Sequence, residues 1–571
     1  MEFSEVIERP RVDNVRLKRN VVPDVEPDVG SLAITSHHLL FQPQNTEPSP
    51  QRQSELSILH RSIDLCTSEA RAGVGGLLTI YCKNFMVLQI EFPDWEDCQA
   101  VQRSEDVLSR LDDVTLQYPL WWNCNWKLIE NGWETFDVEL DFARLQLVSS
   151  AWRLSSINRN YDVCPTYPAK LLVPTSIDDE ILVASAKFRH GGRFPVLSYY
   201  HKNTRSCIVR CSQPLVGPAN RRCRQDETLL NAMLSQNRKG YIIDTRPPAV
   251  VSNFKTKGGG SEPDGHYPQW KRVHRPIPHF TQLQEALVKH VEACSLTDPN
   301  RYLSKLASAG WLKSVQEVLT CAAVVAQTVD KEGEISDMSV VVHGTEGLDS
   351  TLQVTSLAQV ILDPDVRTIR GFESLIVREW LSAGHPFATR CARSGYGPTT
   401  PGVEGATFLC FLDCVYQLYR QFRFSFEFNE DFLILLFDHA YASEYGTFLC
   451  SSDKERYTAD LPNKTVSLWS YVNRPEVLVS LMNPLYEPNN NVIWPSVAPQ
   501  SLAVWERLFH RFTKDWNQQD SLKQETAELV TRQKELTLTV SRLRRQLVEL
   551  AKDSVINGVG ADRQNDLKTN N

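Results

Sequence analysis

The first 120 or so residues alternate short apolar runs with turn residues. The runs include Ser31–Thr35, Leu56–Leu59, Leu77–Tyr81 and Phe85–Ile90. Their length and alternation predict antiparallel strands. Cys98, Val101, Leu108 and Leu111 then recur at helical spacing in an otherwise polar stretch, as in a helix that lays one face on a small sheet. A β-barrel closed by one helix is the expected unit, with the Pro-, Gln- and Ser-rich segment Gln42–Ser54 as a loop between strands.

From Trp126 to Trp505 the pattern changes. Strand-like runs such as Lys239–Ile243 and Met338–His343 are interleaved with longer helical patterns, Phe280–Cys294 and Trp311–Val329. Such mixing implies an α/β domain around a largely buried sheet. Arg393–Thr407, with four glycines and two prolines, predicts a surface loop. The most apolar run, Val318–Val329, is far short of the about 20 residues of a membrane span and predicts a buried core helix.

Near the C-terminus Leu522, Leu529, Leu536, Leu543 and Leu550 fall at every seventh position, without proline or glycine between them. Placed at d, they put Thr526, Gln533, Val540 and Leu547 at a, so both rungs are apolar only in the second half. This pattern predicts a coiled-coil seam; the alternative is an amphipathic helix folded back on its own domain. The organisation expected is multidomain α+β: a first unit over 1–122, an α/β unit over 123–508, a coiled coil over 515–552 and a polar, disordered tail over 553–571.

Composition narrows the partners. Across 571 residues, 42% are hydrophobic and 23% charged, with a formal charge of −8. No global positive field draws such a chain to nucleic acid. The acidic start, MEFSEVIERP, is unlike a signal peptide, which points to the cytoplasm. Fourteen cysteines contain no Cys-x-x-Cys pair, so free thiols are expected, with no metal and no cofactor.

The candidate chemistry sits after Met338–Val342, in His343-Gly344-Thr345-Glu346-Gly347-Leu348-Asp349-Ser350-Thr351. Phosphatases of the Cys-x5-Arg type use a strand, a loop of amides and a helix N-terminus to hold phosphate. A thiolate attacks phosphorus and an arginine clamps the phosphoryl oxygens. Here the strand, the glycines and a helix over Thr351–Leu362 are predicted, yet Gly344 stands at the nucleophile position and Ser350 at the arginine position. Glu346 and Asp349 make the loop acidic, which opposes an anion. Two other segments fit Cys-x5-Arg formally. Cys414–Arg420 reads as core helix, and Cys450–Arg456 lacks a strand–His entry.

These residues resemble the myotubularin family, whose active members carry a His-Cys-Ser-Asp-Gly-Trp-Asp-Arg-Thr loop. The resemblance extends through Arg193–Ser198, Ser212–Leu215, Gly240–Arg246, Lys257–Gly260, Arg367–Glu373, Glu379–Leu381, Gly384–Phe387 and Phe426–Glu430 in family order. His343, Gly347, Asp349 and Thr351 keep the active pattern, while Gly344, Glu346, Leu348 and Ser350 depart from it. The resemblance implies an N-terminal PH-GRAM domain and a phosphatase domain without catalytic residues. It further implies that the chain binds an active phosphoinositide 3-phosphatase of the family through Leu522, Leu529, Leu536, Val540, Leu543, Leu547 and Leu550. A heterodimeric pseudophosphatase adaptor, peripheral to endomembranes, is the expectation, with self-pairing as an alternative. A stand-alone phosphoinositide-binding module is the rival reading. Arg193, Arg246, Arg367 and Arg370 are expected to hold structural carboxylates rather than lipid headgroups, Lys257 to lie in a glycine loop, and Trp121-Trp122 to be core rather than a membrane contact.

Overall fold

The computed structural model describes residues 3–19, 27–44, 55–71, 75–234, 239–330, 338–396, 402–514 and 516–566. Seven strands form the N-terminal sheet: β1 (Arg11–Arg19), β2 (Asp28–Ile34), β3 (His38–Pro43), β4 (Leu56–Leu59), β5 (Ile63–Arg71), β6 (Gly75–Cys82) and β7 (Val87–Phe92). All pairings are antiparallel, in the order β4-β3-β2-β1-β7-β6-β5. Helix α1 (Trp95–Leu108) opens on the Asp94 side chain, which accepts from the Glu96 amide, and buries Cys98, Val101 and Leu108 against β5 and β6. The result is a half-barrel packed by one helix, as the alternation predicts. β1 escaped the pattern because Arg11, Asp13, Arg16 and Lys18 break its apolar rhythm, although Val15 and Leu17 are fully buried. Gln42 and Pro43, expected in a loop, belong to β3, and 45–54 lie outside the described residues.

The second unit is built on five strands: β10 (Val196–His201), β11 (Ser206–Cys211), β12 (Gly240–Asp244), β13 (Trp270–His274) and β14 (Val340–His343), with a separate β8–β9 hairpin of Trp152–Ser155 and Leu171–Pro174. The order is β10-β11-β14-β12-β13; β10 is antiparallel at the edge and the remaining pairings are parallel. β14, the last strand in sequence, is inserted at the centre, and its run Val-Val-Val-His is buried at every position.

Three helices pack behind it beside α2 (Phe280–Cys294): α3 (Trp311–Val329), α4 (Ser350–Leu362) and α5 (Thr407–Gln421). α3 contains the run Val318–Val329 and is the core helix expected of it. α4 is buried from Thr351 to Leu362, between α3, α5 and the sheet. Among the described residues no helix is long and apolar enough to cross a membrane.

The two units share a joint. Phe85, at a left-handed φ of 72° in the β6–β7 turn, stacks on Phe437 at 5.3 Å and Phe509 at 5.4 Å. Asp64 Oδ2 accepts the amides of Ser394 at 3.0 Å and Tyr396 at 3.1 Å, and Ser394 donates to the Lys83 carbonyl. The expected surface loop Arg393–Thr407 is therefore corrected. Its first residues are pinned under the N-terminal sheet, because the Asp64 carboxylate satisfies amides that would otherwise need water, and Thr407 already opens α5. Residues 397–401 of that stretch lie outside the described residues.

The C-terminal helix α6 runs from Asn517 to Asp566. Arg507 roots it, bonding Asp431 at 2.9 Å and Asp520 at 2.7 Å. Residues 553–566, expected as a disordered tail, continue the helix: no proline interrupts them, and Gly558 and Gly560 are the only strong helix breakers among them.

Candidate functional site

The central position of β14 delivers His343 to the carboxyl end of the parallel strands, where open α/β sheets place their sites. His343 is buried. Its Nε2 lies 3.1 Å from Glu262 Oε2 and its Nδ1 3.2 Å from the Gly344 carbonyl oxygen. Glu262 also accepts from Arg189 at 2.6 Å, and Arg189 clamps Asp226 through two N–H groups. Burial alone would raise the Glu262 carboxyl, but His343 and Arg189 outweigh it and hold it far below the usual range.

Behind the loop, three of its carbonyls are tied off. The Gln213 amide donates to Thr345 O at 3.2 Å, Arg193 to Gly347 O at 2.9 Å and His385 Nδ1 to Leu348 O at 2.8 Å. Burial pushes His385 down to about 4, so it serves as a neutral donor. With the carbonyls held outward, the amides of Glu346, Gly347 and Leu348 donate to none of the described residues, as in a nest open to an anion. Gly347 makes the bend at φ 75°, and a Cβ there would meet the Cys211 carbonyl oxygen at 2.5 Å.

The nucleophile position is a small hydroxyl-lined space. A Cβ on Gly344 would come 3.0 Å from Thr245 Oγ1, 3.1 Å from Ser350 Oγ and 3.7 Å from Thr351 Oγ1. Thr245 and Ser350 bond each other at 2.7 Å, whereas Thr351 Oγ1 is buried without a partner among the described residues. No thiol or guanidinium stands at these two loop positions. Cys211, beneath Gly347, has its thiol pushed up to about 12 by burial.

The expected acidity needs correcting. Arg390 grips both oxygens of Asp349 at 3.0 Å, and Thr407 donates to one of them at 3.2 Å. Burial raises the Asp349 carboxyl, but Arg390 more than reverses this and holds it below its ordinary value. Asp349 is thus neutralised from behind, and Glu346 alone supplies the loop's negative charge.

Other residues singled out from sequence fall into structural places. Arg193 binds loop and Thr166 oxygens, Arg246 pairs with Asp244, Arg367 donates to the carbonyls of Ile361, Asn489 and Asn491, and Arg370 pairs with Glu130. Two of the four hold carboxylates; Arg193 and Arg367 hold carbonyls or a hydroxyl instead. Lys257 is exposed beside Gly258, whose φ is 96°. Trp121 is 60% exposed rather than core; its indole N–H donates to the Thr115 carbonyl and its ring lies 6.0 Å from that of His37, whereas Trp122 packs edge-on against Tyr445. Cys414 is buried in α5, and burial pushes the Cys450 thiol up to about 11, so neither formal Cys-x5-Arg segment offers a thiolate. The cysteines are free thiols.

Sequence reasoning missed Arg189, Thr245, Glu262 and Arg390. Thr245 lies inside a block singled out above, and Glu262 and Arg390 follow two others by two and three residues, so extending each block slightly would have found them.

The leucine seam does not fold back on the body. Leu529 is 64% exposed and Leu547 65%, and Leu522, Leu536, Val540 and Leu543 are likewise open; the Leu550 side chain lies outside the described residues.

Comparison with known proteins places this arrangement. Residues 118–457 match the myotubularin-like phosphatase domain and residues 11–109 the GRAM domain of MTMR6-9. Human myotubularin-related protein 9 is 50% identical over 554 residues, covering 96% of this chain and 98% of the relative. Its Caenorhabditis elegans counterpart is 46% identical over 567 residues, covering 97% and 99%. The human phosphatidylinositol-3-phosphate phosphatase MTMR7 is 34% identical over 545 residues, covering 92% of this chain and 80% of the relative. A strand, nest and buried helix of the phosphatase type, joined to a GRAM domain and shared along nearly the whole length, make this chain a member of the myotubularin family.

Proposed function

We propose that the chain is a catalytically silent myotubularin that acts as an adaptor. Its terminal helix pairs with an active phosphatase of the family, in the cytoplasm and at endomembrane surfaces, and alters that partner's stability, activity or membrane placement. The observation that carries the reading is the loop itself: an anion nest held by Gln213, Arg193 and His385, around a nucleophile position that is glycine and an arginine position that is serine. Attack on phosphorus needs a thiolate or an activated alcohol, and the hydroxyls at hand, Thr245 and Ser350, bond each other with no base between them.

The rival reading, a phosphoinositide-binding module acting alone, fits the joint less well. Phe85 and Asp64 bind the N-terminal domain to the body, which favours one working unit. The test has two arms on the full-length protein. Phosphate release from phosphatidylinositol 3-phosphate stays at the no-enzyme level; turnover above it sinks the silent reading. Co-purification with MTMR7 is lost when Leu536, Leu543 and Leu550 are replaced by glutamine; undiminished capture sinks the seam.

A further inference from the structure

The seam deepens that reading, on which this inference rests, because its flanks say what kind of helix fits. In the heptad frame set by the leucines, the e and g positions from 523 to 546 carry three bases, Lys523, Arg532 and Arg544, against one acid, Glu525. Lys523 is turned toward the body, 4.0 Å from Asp431. Arg532 and Arg544 stand farther out, on the exposed part of α6. Among the described residues Arg532 has one ion pair, an exposed contact with Glu535 on its own helix at 3.3 Å, the kind of pair that contributes little and exchanges readily.

Self-pairing leaves these charges unanswered. The polar a residues Thr526 and Gln533 precede the apolar Val540 and Leu547, so two copies match like with like only when parallel. In that register g meets e of the next heptad on the other strand. Glu525 then faces Val530, Arg532 faces Thr537 and Thr539 faces Arg544, and none of the three is an ion pair. The two copies would also bring their basic flanks together.

We propose that the partner of α6 is a parallel heptad helix with carboxylates at the e and g positions aligned with Thr537 and Thr539, where they meet Arg532 and Arg544. The leucines provide the adhesion and the two arginines the discrimination against a second copy of this chain. Such charge patterning is how coiled coils choose among mates of similar apolar content.

The test uses the full-length protein and three synthetic peptides of residues 517–552: the natural sequence, one with Thr537→Glu and Thr539→Glu, and one with Thr537→Lys and Thr539→Lys. The glutamate peptide binds about three- to tenfold tighter than the natural one at low salt, and the lysine peptide binds more weakly still. The spread collapses at about 1 M salt. Arg532→Glu/Arg544→Glu in the full chain reverses the ranking. Equal affinity for all three peptides overturns the charge proposal while leaving the leucine seam intact. Binding of none of them, with MTMR7 capture insensitive to the leucine substitutions, overturns the seam itself.

Discussion

At the scale of single residues, Glu373 shows how burial sets a pH response. It is fully buried; Asn473 donates to one oxygen at 3.1 Å, and the other oxygen has no partner among the described residues. Burial pushes its carboxyl up to about 8, against smaller lowering by Asn473 and Arg370. The folded chain therefore keeps this proton up to about pH 8, whereas the unfolded chain gives it up near 4.5. Between those values the folded state binds more protons, so the group's stabilisation is complete below pH 4.5 and is lost as pH rises to 8. The loss amounts to roughly 4–5 kcal/mol across the window. Glu373→Gln keeps the shape and the Asn473 contact without the titration. Unfolding free energy measured from pH 5 to 8 should fall for the wild type and stay flatter for the variant. The sequence marks Glu373 only as the end of a family block. Its burial depends on Asn473, a hundred residues away, and no local pattern records that contact.

At the scale of elements, the strand–loop–helix around Gly347 is the most demanding piece of backbone in the site. Its left-handed φ and the Cys211 carbonyl beneath it exclude a side chain twice over. Gly347→Ala should cost more than about 2 kcal/mol in chemical denaturation. Gly344, with no left-handed φ and its nearest neighbours at 3.0 and 3.1 Å, should accept alanine at far smaller cost, and equal losses at the two positions would refute this account. This element was legible in sequence because its signals are local: a β-branched run, a histidine, two glycines and an apolar helical repeat. Its charge balance was not. Asp349 reads as an open carboxylate until the fold brings Arg390, 41 residues later, onto both its oxygens. The same limit hid β1, where charged residues on the solvent face mask the buried Val15 and Leu17.

At the scale of the whole molecule, the joint packs the two domains against each other, which predicts that they unfold together. Phe85 belongs to the N-terminal sheet by sequence but to the large core of the phosphatase-like domain by contact. Phe85→Ala removes a buried ring, a change that ordinarily costs about 3–5 kcal/mol, and here the loss falls on the coupling between the domains. Calorimetry should show the body of the wild-type protein melting in one transition and that of the variant in two. A wild type already melting in two steps would show that the joint does not couple the domains. The sequence announced both domains and gave no hint of this contact, because an aromatic residue in a turn looks the same whether it meets water or another domain.

The terminal helix also sets a length. Its 50 residues at about 1.5 Å each make a rod of about 75 Å, with the body at one end. A parallel mate lays two bodies side by side, so two GRAM domains can reach the same surface and the second contact becomes intramolecular, with the gain in avidity that follows. An antiparallel mate would hold the bodies at opposite ends of the rod and forfeit that gain. Under the proposed pairing, the direction of the seam decides whether one assembled particle would grip a surface once or twice.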